Sequence, residues 1–273
     1  MNEGFKHIVN NFIEDIFDND DFVTDIVESN DISKFMNFFN QYRDKYVDNA
    51  ELEAFLYATF KILQDNFSLE DLKNNSNIVH PGYYFAYCIE KNVKDINITD
   101  WRSGWNSYFS FWYSYSGLKS IQLDKLTAND DVLLCNLINA LFDRKSGLDE
   151  GHINTLVIVD DVGDARRFNI PDSKKLTVDN AVLDNSSDIN FSDLTVKTLS
   201  LFNTAIPQFN WENVEYIDIT NVDSDNSGTI LFPPWFAVKL LNFKNTKILL
   251  DHSQKIRVQK IFTERIKERL QYK

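Results

Sequence analysis

The chain has 273 residues, 43% of them hydrophobic and 14% aromatic, which is enough apolar mass for a real core and argues against a disordered chain. Its formal charge of −13 disfavours nucleic acid as a partner, because that binding rests largely on Lys and Arg neutralising phosphates. The longest apolar stretch, Thr229 to Phe243, is broken by prolines and Lys239 short of the ~20 residues a membrane span needs, so no membrane partner is expected.

The first segment, residues 1–92, is expected to be all-α. It holds 17 acids and 7 bases, and four stretches carry apolar residues at i, i+3 and i+4 with acids in the first turns, as the helix dipole prefers. The start "MNEGFKHIVNNFIED" has acids where a secretion signal has a basic, then apolar, run, so the cytoplasm is the expected compartment. "HPGYY" (His80 to Tyr84) reads as a break in the helical pattern.

From residue 93 to about 250 the periodicity changes. "VKTLSLFNTAI" (Val196 to Ile206) and "VKLLNFKNTKI" (Val238 to Ile248) share a spacing of apolar residues at i, i+3 and i+5, then Asn-Thr. The same spacing recurs upstream, with its second apolar residue at Ile96, Ile121, Leu156, Leu176, Leu199, Ile217 and Leu241. The i+3/i+5 pair has period two, so each reads as a short strand with one face buried. Asp160, Asn180, Asn203, Asn221 and Asn245 follow the pairs, where a short side chain can bond the backbone as the strand turns off.

A strand returning roughly every 20 to 25 residues is the mark of a coil built by stacking. These rungs resemble the leucine-rich-repeat family, whose pattern is L-x-x-L-x-L-x-x-N-x-L; Thr204 and Thr246 stand where its ladder asparagine falls. The resemblance implies an irregular α/β solenoid with parallel strands over 93–250. The all-α block 1–92 then serves as N-terminal cap or module, and a C-terminal helix over 251–273 closes the coil.

Two inserts fit around the rungs. "ANDDVLLCNLINALFDR" carries a helical apolar stripe after an Asn/Asp start signal. Trp105, Tyr108, Phe109, Trp112 and Tyr115, within Trp101 to Gly117, fall at helical steps and read as packing, or else as a binding patch.

Chemistry is scarce. The eight glycines form no nucleotide-phosphate motif, the four histidines are isolated, and Cys88 and Cys135 read as reduced, buried thiols. "DNDD" (Asp18 to Asp21) and "DSDNSG" (Asp223 to Gly228) lack the spacing of a calcium loop, so no metal or cofactor is expected.

In a leucine-rich-repeat coil the residues flanking the buried pair point outward from the concave sheet. Here those are Lys175, Thr177, Asp179, Thr198, Ser200, Phe202, Tyr216, Asp218, Thr220, Leu240, Asn242 and Lys244, a mixture of apolar anchors, hydroxyls and both charge signs that suits a protein interface. The expected function is therefore non-enzymatic binding of a partner protein on that face. One alternative is an acidic antagonist, an immunity or counter-defence protein that inhibits an enzyme or nucleic-acid-binding protein through its helical third. Another is a polysaccharide-active β-coil enzyme using Asp179 and Asp218, which two strand spacings would hold ~10 Å apart.

Overall fold

The computed structural model describes residues 31–43, 49–101, 117–159, 167–185, 189–204, 208–209, 214–220 and 240–244, with His7, Asn10, Asn11 and Glu14 in helix. Four helices with described bounds come next: α1 (Ile32–Arg43), α2 (Asn49–Asn66), α3 (Leu69–Asn74) and α4 (Pro81–Glu90). Strands follow as β1 (Asp95–Asn97), β2 (Ser120–Ala128), β3 (Glu150–Val159), β4 (Lys175–Asp184), β5 (Asn190–Phe191), β6 (Thr195–Phe202), β7 (Gln208–Phe209), β8 (Tyr216–Thr220) and β9 (Leu240–Lys244), with helix α5 (Asp131–Leu141) between β2 and β3.

The helices begin where side chains can take over orphan backbone groups. At α3 the Ser68 hydroxyl accepts from the Asp71 N–H, and the Asp71 carboxylate accepts from the Ser68 N–H, a reciprocal cap. "HPGYY" proves to be a start rather than a break. His80 Nδ1 accepts from the Gly82 N–H, and Pro81 takes the first helical position, where its missing donor costs nothing. Every residue of α4 from Pro81 to Cys88 is buried, so amphipathic periodicity has no hold on it.

β1, β2, β3, β4, β6, β8 and β9 form one seven-stranded sheet in chain order, and every neighbouring pair is parallel. β5 and β7 make a separate two-stranded pair. One line of direct partners crosses the whole sheet: Ile96, Leu126, Leu156, Ala181, Leu199, Ile217 and Leu241.

That line corrects the expected rungs. Leu126 and Ala181 hold the places given to Ile121 and Leu176. β2 and β4 each carry two apolar pairs, Ile121/Leu123 before Leu126/Ala128 and Leu176/Val178 before Ala181/Leu183. The spacing matches the first pair of each strand as well as the second, and the small side chains of Ala128 and Ala181 weaken the true match.

With the register set by the pairing, the residue two beyond the second buried pair is Asp100, Asp130, Asp160, Asn185, Asn203, Asn221 and Asn245 in successive strands. Asn185 replaces the expected Asn180; Asp160, Asn221 and Asn245 lie outside the described residues. The chemistry at this exit is local. Asp130 caps α5 by accepting from the Leu133 N–H at 2.8 Å. Asn185 and Asn203 both turn the chain with φ of 50°, a left-handed conformation that Asn tolerates best after Gly. Asn185→Ala and Asn203→Ala are each expected to cost about 1 kcal/mol in urea unfolding, and the Gly variants less.

The expected α/β solenoid, an irregular leucine-rich-repeat-like coil, is not what the chain forms. The observed class is α/β, with a single main parallel sheet and a few helices. The returns between strands are not of one construction. Here the return after β2 is the helix α5, whereas the one after β4 contains the two-residue strand β5. Among the described residues the strand and its exit repeat, and the returns after β3, β4 and β6 meet in a short parallel ladder through Arg167, Asn190–Phe191 and Gln208–Phe209, but the helical return after β2 does not share it. The C-terminal helix expected over 251–273 lies outside the described residues, as do Asp18–Asp21, Asp223–Gly228 and the aromatic stripe after Trp101.

Buried side chains from Ile32 to Ile217 join in one cluster, so the helices and the sheet share a core. Trp101 is its largest fully buried member; its Nε1–H donates to the Val79 carbonyl at 2.9 Å and its ring meets Tyr84 at 4.7 Å. Cys88 and Cys135 are buried and form no disulfide, and burial pushes the Cys88 thiol up to about 11. Such a thiol stays protonated and unreactive at neutral pH. Among the described residues no helix is long and apolar enough to cross a membrane.

Candidate functional site

One face of the main sheet is the natural place to look, because its two faces differ. Along β2, β3 and β4 the residues on one side are buried, while those on the other are exposed or half-buried. Parallel sheets are ordinarily covered on both faces.

The alternation slips once in each strand. Asp124 and Lys125, Asn154 and Thr155, Asp179 and Asn180, and Lys197 and Thr198 are successive residues of which neither is buried. The ladder skips Asp124 opposite Asn154, Asn154 opposite Asp179, and Asp179 opposite Lys197. A slip repeated in neighbouring strands divides the outward face into two facets along a polar seam.

Side chains knit this seam across strands. Asn154 Nδ2–H donates to Asp124 Oδ1 at 3.1 Å, and Asn180 Nδ2–H donates to the Asn154 carbonyl at 3.2 Å. Asp179 takes two partners: Lys197 Nζ donates to its Oδ1 at 2.5 Å, and His152 Nε2 lies 2.8 Å from its Oδ2. The Lys197 hydrogen bond holds the Asp179 carboxyl below its ordinary value against an opposing desolvation, with smaller help from His152. A lowered carboxylate stabilises the fold above its unfolded value and loses that contribution as pH falls through the folded one. Carboxyl-carbon NMR of the Lys197→Met variant is expected to show Asp179 titrating at higher pH than in the wild-type chain.

The expected face residues divide in two. Thr198, Tyr216 and Leu240 are direct partners, as are Ser200, Asp218 and Asn242, and Phe202, Thr220 and Lys244, so nine residues form a compact grid. Lys175, Thr177 and Asp179 do not join it. The partners of Thr198, Ser200 and Phe202 on β4 are Asn180, Val182 and Asp184, whereas Thr177 pairs with Thr195 in the other facet. The cause is the same five-residue slip that misplaced Leu176.

The correct register adds residues the periodicity missed. Val157 pairs with Val182, which pairs with Ser200, and beside them Val159, Asp184 and Phe202 form the next row. All six are half-buried. Their signal was present in "LVIV" and "AVL", where an apolar residue sits on the outward side of an otherwise alternating strand.

The two carboxylates of the enzymatic alternative stand at different register positions. Asp218 pairs with Ser200 in the row of Val182, while Asp179 lies in the seam, already engaged by Lys197 and His152. Among the described residues no group of His, Cys, Asp and Glu could hold a metal ion. Comparison with known proteins finds no matching family model, no matching curated protein and no matching solved structure.

Proposed function

We propose that this chain is a non-enzymatic protein-binding module whose partner docks on the outward face of the parallel sheet, over the facet formed by the C-terminal halves of β3, β4 and β6. The observation that carries the reading is the one-sided burial of these strands. A parallel sheet with helices on both faces hides all its side chains, so leaving one face open favours use of that face.

The composition of the facet supports the same reading. Val157, Val182, Val159 and Phe202 give apolar anchors, with Thr155, Thr198 and Ser200 around them and the charged seam along one side, an arrangement like an interface core with its polar rim. Strand order also supports binding over catalysis. Small-molecule sites of open parallel sheets gather where the strand order reverses, and the order here runs in one direction from β1 to β9. The partner is a protein rather than nucleic acid, given the net charge of −13, and the module is read as cytoplasmic, with its cysteines kept as thiols.

The test compares the intact chain with Val182→Asp and Phe202→Asp, using Lys34→Ala on the exposed side of α1 as a control. Affinity capture from the native host is expected to retain a protein with the wild type and the control, and to lose it with both face variants. The loss corresponds to at least about tenfold weaker binding, the scale of an interface anchor. Circular dichroism and melting must show both variants folded. Folded variants that keep the same protein at wild-type affinity overturn the reading.

A further inference from the structure

We draw no further inference here: the strongest candidate, the His152–Asp179–Lys197 cluster on the outward side of β3, β4 and β6, belongs to the face already described, and nothing in the structure shows what covers it.

Discussion

Trp101→Ala is expected to remove about 3 to 5 kcal/mol of stability, the usual cost of emptying a large aromatic site. That is a large share of the ~5 to 15 kcal/mol that holds a whole domain together. The site is unforgiving because the ring does two jobs. It fills a fully buried volume against Tyr84, at 4.7 Å between ring centres, and it satisfies the Val79 carbonyl just ahead of α4. Trp101→Phe separates the two. It keeps most of the apolar contact and leaves the Val79 carbonyl without its donor, so its expected cost is about 1 to 3 kcal/mol. Urea unfolding followed by circular dichroism measures both. Hydrogen exchange adds location: amides of α4 and β1 are expected to lose protection together, since Trp101 lies four residues past the end of β1 and bonds the residue before the cap of α4. A loss below about 1 kcal/mol for the Ala variant would show that the helices and the sheet hold together without this residue.

How much of this was legible in the letters depended on the kind of signal each element sends. Val196–Leu199–Leu201 and Val238–Leu241–Phe243 announce short strands outright, because three apolar residues at fixed offsets, followed by Asn-Thr, have little other reading. α5 was equally legible, since Asp130 precedes a clean apolar stripe and caps it as expected. Where the letters misled, two patterns competed. β2 and β4 are long enough to hold two apolar pairs with a slip between them, and period-two reasoning has no term for a slip. Only pairing between strands chooses between Leu176 and Ala181, and pairing is a property of the sheet. The same choice decided the face. Once Ala181 stands beside Leu199, Asp179 moves into the seam and Val182 enters the grid, so an error of register became an error of site. α4 was hidden for another reason: a helix buried on all sides carries no stripe, and its Pro81 and Gly82 read as a break to any rule that takes those residues as punctuation. The outward aromatic and valine positions were visible as residues, but their adjacency was not.

Gly151→Val is expected to destabilise the chain by about 1 to 3 kcal/mol or more, the cost of overpacking a closed core. Gly151 lies in β3 between its partners Ile121 and Leu176, on the buried side of the sheet. A Cβ placed there would meet the Phe142 ring tip at 2.5 Å and a Leu176 methyl at 2.9 Å. Elsewhere in a strand, replacing glycine gains about 0.5 to 1 kcal/mol by reducing the freedom of the unfolded chain. Two contacts under 3.0 Å outweigh that gain, because Phe142 is itself fully buried at the end of α5 and has no free space to swing into. The sign of Gly151→Ala therefore decides whether the ring or the backbone sets this position. A stabilised Ala variant would mean that Phe142 yields easily. The double variant Gly151→Ala/Phe142→Leu sharpens the point: shortening the ring should restore part of the loss. Between residues in contact the coupling energy, read from urea unfolding of the four chains, is expected at about 0.5 to 3 kcal/mol. Additive effects of the two substitutions would show that the ring tip of Phe142 does not stand where the side chain of residue 151 would go.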